Sequence, residues 1–221
     1  MNDQLDRSAL AARLATDAQR GGVPLTAVQA DALTEYLAQM LRWNRTYNLT
    51  AIRDVEAMRV QHVLDCLMVL PALREQLGEG PATVMDVGSG GGLPGVVLAI
   101  MQSGWEICCV DAVEKKTSFV RQVAGVLRLP NLRATHARVE TMVPAQCDVV
   151  ISRAFASLAD FATLAGRHVR DGGTLAAMKG RAPDAELAEL GTASGWQLQH
   201  TLPLAVPGLD AQRCLLLFGR G

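Results

Sequence analysis

The chain is poor in aromatic residues, with two tyrosines, four phenylalanines and three tryptophans among 221 residues, and it has only four histidines. None of the histidines forms an H-x-x-x-H pair, and the five cysteines (Cys66, Cys108, Cys109, Cys147, Cys214) form no C-x-x-C spacing. A metal centre is therefore not expected, and the cysteines, most of them inside apolar runs, read as buried free thiols. No apolar run approaches the ~18 residues of a membrane-spanning helix. The opening MNDQLDRSAL is polar and partly acidic, unlike a secretory leader, so a cytoplasmic protein with no membrane contact is expected. Repeats and low-complexity segments are missing too. What remains is a chain with enough apolar residues for a full core, of a length that suits one α/β domain with an appendage or two small domains.

Strong net charge is also missing: the formal value is −1. The distribution is uneven, however. Residues 112–183 carry 11 basic and 5 acidic side chains, while residues 81–111 carry none and 3. A local basic face is the footprint that a polyanion needs, and the average hides it. The same count also fits ordinary surface lysines and arginines.

Residues 1–78 read as a helical cap. Leu25, Val28, Ala32, Leu33, Leu37, Met40 and Leu41 recur at helical spacing after a start signal at Pro24-Leu25-Thr26. A polar, aromatic connector is expected over 43–50, then a second helix from an N-cap at Asp54 to Pro71 or soon after. Gly78-Glu79-Gly80-Pro81 marks a turn, and from 79–221 the pattern changes to alternation. Short β-rich runs at 82–87, 105–110, 131–136, 147–151, 174–178 and 212–218 are separated by helical patterns near 94–102, 113–127, 157–169 and 184–190. This predicts a doubly wound, mostly parallel α/β sheet. A C-terminal pair of segments, 196–204 and 212–218, is separated by Pro203, Pro207 and Gly208 with no room for a helix, and should form an antiparallel hairpin at the sheet edge.

The run VMDVGSGGGLPG at 84–95 places five glycines and a proline within eight residues, directly after a predicted strand. Gly90, Gly92 and Gly95 match G-x-G-x-x-G, a dinucleotide-binding pattern. In an open α/β sheet the loop after the first strand is where ligands bind, and glycines permit close backbone approach. A helix starting near Pro94 would offer free N–H groups to an anion. Asp111 follows Gly92 by 19 residues at the end of the second strand, where an acid accepts hydrogen bonds from ribose hydroxyls. It cannot distinguish adenosine in a dinucleotide from adenosine in S-adenosylmethionine (AdoMet), and it also suits a helix cap. Two features favour AdoMet. The Asp86 carboxylate suits an ammonium group and would repel a pyrophosphate, and the hairpin ending suits a methyltransferase sheet. No Tyr-x-x-x-Lys pair for hydride transfer is present.

Several ordered strings resemble the RsmG (GidB) family of bacterial ribosomal RNA methyltransferases. They are WNRTYNLTAIRD (43–54), HVLD (62–65), the glycine loop (86–95), CVD (109–111), RVE (138–140), ISRAFASL (151–158) and MKG (178–180). The resemblance covers about residues 40–180, and its specific parts are NLT-x-IRD and ISRAFASL. Cys66 and Glu114 stand where relatives often have Ser and Gly.

The resemblance implies a Rossmann-like class I methyltransferase fold: a mostly parallel seven-stranded sheet with a C-terminal antiparallel hairpin and an N-terminal helical cap. It implies methyl transfer from AdoMet, leaving S-adenosylhomocysteine, to N7 of a guanine in 16S rRNA, free or within the small ribosomal subunit, by a monomer. Its cofactor pocket would draw on Gly88, Leu93, Val139, Glu140 and Arg153, beside Asp86, Gly90 and Asp111 from the loop argument. Glu140 also reads as a helix-start acid, and Arg153 as a structural ion-pair partner. Arg153 and Lys179 sit after strands and are candidates for alignment at the methyl; no residue reads as a general base, because guanine N7 carries an in-plane lone pair and no proton. Candidates for rRNA phosphates are Arg45, Arg53, Lys115, Lys116, Arg138, Lys179 and Arg181, with Arg121 in the same basic segment; each equally fits a solvated surface. Asn44 and Asn48, beside Trp43 and Tyr47, pack the cap or touch RNA. His62 and Asp65, three apart, read as a buried hydrogen-bonded pair. A small-molecule AdoMet methyltransferase and a ribose-binding sensor or assembly factor are the rival readings.

Overall fold

The computed structural model describes residues 6–221 except 154, 156, 183 and 194. The two alanines of ISRAFASL, Ala154 and Ala156, thus lie outside the described residues. Seven strands form one sheet: β1 (Ala82–Val87), β2 (Trp105–Asp111), β3 (Leu132–His136), β4 (Cys147–Ser152), β5 (Val169–Lys179), β6 (Trp196–Pro203) and β7 (Cys214–Arg220). Their spatial order is β3-β2-β1-β4-β5-β7-β6. The first five are parallel, and β7 is antiparallel to both β5 and β6. The strand order reverses between β1 and β4, so the loops after these strands open a crevice at the carboxyl rim.

The central strands β1, β2, β4 and β7 are mostly apolar because both faces are covered, whereas the edge strands β3 and β6 are largely polar and exposed. Val149 and Ile151 of β4 face one apolar cluster, and Val150 faces the other. Leu215 and Leu217 of β7 follow the first face, Leu216 and Phe218 the second. The second face is covered by α8 (Leu158–Ala165) and α9 (Asp184–Ala193). The first is covered by α6 (Gly95–Met101), α7 (Glu114–Val126) and the N-terminal helices. Leu10, Leu33, Leu37 and Met40 share one core with Val84 and Ile107 of the sheet. Each such buried side chain contributes about 1.5–3 kcal/mol.

At the N-terminus, α1 (Arg7–Arg20) is capped by Asp6, whose side chain accepts from the Ala9 amide. Thr26 and Gln29 form a reciprocal capping box at the start of α2 (Ala27–Tyr47). This helix is longer than the sequence pattern suggests. The predicted connector from 43 is helical as far as Tyr47, because Trp43 and Tyr47, four apart, pack with tilted rings 4.9 Å apart and Trp43 also packs on Phe119. Asn48, in the left-handed region, ends it. Asp54 caps α3 (Val55–Met58) as expected. The chain continues through a π-helical turn, Arg59–Leu64, and α4 (Asp65–Leu67). Pro71 does not end the helical region. It lies in the first turn of α5 (Leu70–Leu77), where proline costs no hydrogen bond.

The junction between β1 and α6 is packed without slack. The Gly95 amide donates to Asp86 Oδ2 at 2.8 Å, and a Cβ at residue 95 would meet Cys109 Sγ and lie 2.9 Å from the same oxygen. Gly95→Ala is expected to lower stability by about 1–3 kcal/mol in urea unfolding, as overpacking does. Adding Cys109→Ala should recover part of the loss; an unchanged unfolding midpoint for Gly95→Ala would contradict this packing.

Candidate functional site

The glycine loop runs from β1 into α6. Gly88 and Gly90 have φ of +68° and +58°. A Cβ at Gly90 would meet nothing within 4 Å, so conformation rather than crowding favours glycine there. Bonds that hold the loop include Gly88 N to Val110 O at 2.9 Å, Gly90 N to Asp111 Oδ2 at 2.9 Å, Gly92 N and Leu93 N to Ser89 O at 2.8 and 2.9 Å, and Tyr36 Oη to Gly91 O at 2.6 Å. The Tyr36 contact was not foreseen from sequence. It crosses from the middle of α2 to the loop.

Three cavities follow one another along the carboxyl rim. The first, about 280 Å³, is lined by Gly88, Asp111, Arg138, Val139, Glu140 and Phe155. The second, about 160 Å³, includes Met40, Thr50, Gly88, Gly90, Leu93 and Arg153. The third, about 380 Å³, includes Ile52, His62, Asp65, Arg153, Lys179 and Arg213. Gly88 joins the first to the second; His62 and Arg153 join the second to the third. Every cofactor candidate read from sequence except Asp86 therefore lines the first cavity, the second or both, with Arg153 at the far end.

Asp111 keeps its carboxylate at the first cavity while accepting from the Gly90 amide and from the Val113 amide, each at 2.9 Å, with Lys116 Nζ 3.7 Å away. A carboxylate has about four acceptor positions, so two amides leave room for vicinal hydroxyls. Ribose binding and capping are thus compatible. Asp86 corrects an expectation. It is fully buried and lines none of the three cavities; it sits under the loop, on the Gly95 amide. The first free amide of α6 is therefore met from inside the protein, not by an external anion. Burial pushes the Asp86 carboxyl up to about 7, against the Gly95 amide and Arg153, which pull it down. Among the described residues its Oδ1 has no hydrogen-bond partner.

Arg153 follows β4, whose end is tied to β1 by Ser152 Oγ donating to Val87 O at 2.7 Å. Its guanidinium donates to Gln61 O at 2.9 Å, approaches His62 Nδ1 at 3.4 Å and pairs with Asp65 Oδ2 at 3.5 Å. The expected His62–Asp65 pair is thus replaced by two separate contacts with Arg153. The π-helical turn makes this possible, because it spreads Gln61, His62 and Asp65 toward the sheet. Arg213, at the rim because β7 runs antiparallel, pairs with Asp65 Oδ1 at 3.3 Å. Sequence reasoning missed it, although the predicted hairpin direction places residue 213 there. Burial raises the Asp65 carboxyl above its ordinary range, with Arg153 and Arg213 pulling it down.

His62 Nε2 lies 2.9 Å from Thr50 Oγ1. Because Arg153 donates toward Nδ1, the ring proton is assigned to Nε2. Asn44 fixes the same loop: Nδ2 donates to Ile52 O and Oδ1 accepts from Thr50 N, both at 3.0 Å. Lys179 is less free than the sequence suggests. Its ammonium pairs with Glu186 at 3.0 Å and reaches Phe155 O at 3.4 Å. It lines the third cavity but is not a surface cation. Arg121 is exposed on α7 and donates to Ala134 O at 3.1 Å. Arg45, Arg53, Lys115, Arg138 and Arg181 are exposed, and Lys116 half-buried, on the segments that border the cavities. Among the described residues no group of three His, Cys, Asp or Glu side chains could hold a metal ion, and no helix is long and apolar enough to cross a membrane.

Burial, then Arg153, lowers the His62 pKa from 6.5 to about 4. Between those values the unfolded chain binds the proton and the native chain does not, so stability falls as pH drops through the window. The full shift corresponds to about 3 kcal/mol. The stability difference between the natural protein and His62→Gln should therefore shrink on going from pH 7 to pH 4.5 in paired urea unfolding curves. A gap that is constant or widens would refute a neutral buried imidazole.

A family model described as rRNA small subunit methyltransferase G (GidB) matches residues 29–216. A ribosomal RNA small subunit methyltransferase G from Bordetella petrii is 64% identical over 90% of this chain and 78% of its own. Another, from Bordetella avium, is 61% identical over 96% and 94%. Among solved structures, a 1,6-didemethyltoxoflavin-N1-methyltransferase from Burkholderia thailandensis with bound S-adenosylhomocysteine aligns with a TM-score of 0.60 at 18% identity, covering 84% of this chain and 89% of that one. A SAM-dependent methyltransferase from Aquifex aeolicus aligns with a TM-score of 0.54 at 15% identity, covering 67% and 87%. These two likenesses show the fold, a Rossmann-like class I methyltransferase sheet. The identities to the Bordetella proteins and the span of the family match go further: the chain belongs to the rRNA small subunit methyltransferase G family.

Proposed function

We propose that the protein transfers a methyl group from AdoMet to N7 of a guanine in 16S rRNA. The observation that carries this reading is the continuous row of three cavities at the switch point of the sheet, in a chain of this family. Adenosine lies in the first, with Val139 and Glu140 at the base and Asp111 at the ribose. The methionine end lies in the second, against the Gly88–Gly90 backbone and Leu93. The acceptor base enters the third. Residues 1–78 form the cap that closes the second and third cavities through Met40, Thr50 and His62, and residues 79–221 form the methyltransferase domain.

AdoMet supplies a methyl group activated by its sulfonium. Guanine N7 attacks with a lone pair, and no proton has to leave first. The titratable groups at the third cavity suit this. Both His62 nitrogens are engaged, Asp65 faces two arginines, and Lys179 faces Glu186. Their work is to hold the base in line with the methyl, which is where such a reaction gains most. Arg153, shared by the second and third cavities, aligns the two and can hold the ligand carboxylate or a target phosphate. The base must leave its stack to enter. Arg45, Arg53, Lys115, Lys116, Arg138 and Arg181 meet phosphates around the opening. Asp86 supports the loop from below instead of touching the ammonium.

Labelled AdoMet incubated with the protein and undermethylated small subunits, or naked 16S rRNA, should label the RNA, and mass mapping should place the methyl on guanine N7. RNA left unlabelled under both conditions would overturn the reading in favour of a small-molecule substrate. RNA affinity should fall as salt rises. Replacing Arg45, Arg53, Lys115 and Arg181 by Gln should flatten the slope by roughly 0.7–0.9 for each phosphate that is no longer neutralised. A salt response unchanged in that variant would remove these residues from the RNA surface.

A further inference from the structure

His168 has no part in the chemistry proposed above, yet it is fully buried and bonded at both ring nitrogens. It closes the 3₁₀ turn Gly166–His168 that leads into β5. Its Nε2 lies 2.9 Å from Val139 O, and its Nδ1 accepts from the Ala145 amide at 3.3 Å. A carbonyl on one side and an N–H on the other fix the tautomer with the proton on Nε2. Both partners belong to the connection between β3 and β4, which carries Arg138, Val139 and Glu140 at the first cavity.

The preceding residue acts on the same turn. Arg167 Nη1 donates to Glu140 O at 3.3 Å. Consecutive residues 167 and 168 thus take the consecutive carbonyls of 140 and 139. The turn Val139–Thr141 is short, and its own bonds are Thr141 N and Thr141 Oγ1 to Arg138 O, at 3.0 and 2.8 Å, and Met142 N to Val139 O, at 3.2 Å. A single 3₁₀ turn with so few internal bonds does not hold its orientation alone. Drawing two carbonyls toward the 167–168 pair sets the tilt of the peptide planes, and with them the wall that Val139 and Glu140 present to the cavity.

We propose that His168, assisted by Arg167, is a positioning residue for the adenosine end of the cofactor: it clamps the Val139–Thr141 turn without touching the ligand. The proposal rests on the assignment of the first cavity to adenosine. It predicts a loss confined to cofactor affinity, since neither residue reaches the second or third cavity.

The test compares two amides at position 168. Gln carries its NH₂ about as far from Cα as Nε2 of His, whereas Asn reaches only the Nδ1 position. Calorimetry with the full chain should show AdoMet bound about tenfold more weakly by His168→Asn, one hydrogen bond's worth, and nearly unchanged by His168→Gln. The same weakening should appear with adenosine as a competing probe. Methyl transfer to undermethylated small subunits at saturating AdoMet should keep its kcat in both variants while KM for AdoMet rises in the Asn variant. Arg167→Met, an exposed change that leaves the core intact, should give a smaller rise in the same direction and keeps the idea open to test should His168→Asn fold poorly. Equal affinity in the Asn and Gln variants, or a fall in kcat with affinity unchanged, would overturn the clamp alone. Failure of the natural protein to bind AdoMet would overturn the assignment of the cavity and the clamp with it.

Discussion

The guanidinium of Arg153 is the point at which the two halves of the molecule meet. It leaves the sheet at the end of β4 and ends among groups from the π-helical turn of the N-terminal region. Its side chain is 24% exposed and that of Asp65 4%. A carboxylate buried to that degree requires a cation, and removal of either partner from such a pair costs about 3–5 kcal/mol. Arg213 adds a second cation from the opposite side, through a strand that reaches the rim only because it runs antiparallel. The helical region, the parallel sheet and the hairpin therefore converge on one carboxylate. The second and third cavities share their wall at this point, so the geometry of the proposed methyl transfer depends on an interaction that also holds the cap in place.

Much of this was legible in the sequence for a plain reason. Strand–helix alternation and a glycine-rich first turn have few structural solutions, and the hairpin followed from a gap too short for a helix. Gly90 and Asp111 are placed at the rim by the strand pattern alone, because the first and second strands end beside them; Gly88, Leu93, Val139 and Glu140 enter through the family resemblance, and all six line the first cavity or the second. A place in a strand at the rim gives neither the direction of a side chain nor its partner, and there sequence and structure part. Asp86 was placed facing the ligand because period-two alternation cannot tell the underside of a loop from its mouth. Lys179 was counted as a surface cation because its partner, Glu186, belongs to a helix whose packing the local sequence does not show.

The N-terminal region was the least legible part. Helical periodicity marked the apolar face of α2 but gave no sign that Tyr36 and Met40 on that face reach the glycine loop. Nor did spacing suffice for His62 and Asp65. Three residues apart in an α-helix they are neighbours, but the π-helical turn between Arg59 and Leu64 changes their angular relation and turns both toward Arg153. A π turn has no simple sequence signature, and such turns recur at functional sites.

The electrostatics of the rim explain why a site so rich in titratable groups suits the proposed reaction, which needs no base. Desolvation works on every buried group here, and it pushes His62 toward its neutral form and the carboxyls of Asp86 and Asp65 toward protonation. Arg153, a smaller influence than burial, opposes this for the acids and reinforces it for the imidazole, so one cation acts on three neighbours. A neutral, doubly bonded imidazole and a carboxylate between two guanidinium groups make poor proton acceptors. They are, however, rigid, and their dipoles are fixed before any substrate arrives. For attack by a lone pair on an activated methyl, the useful contribution of the protein is alignment in a preformed polar setting. A site tuned for proton abstraction would leave one acceptor free at the cavity, and the bonding of His62 to both Thr50 and Arg153 is the opposite arrangement.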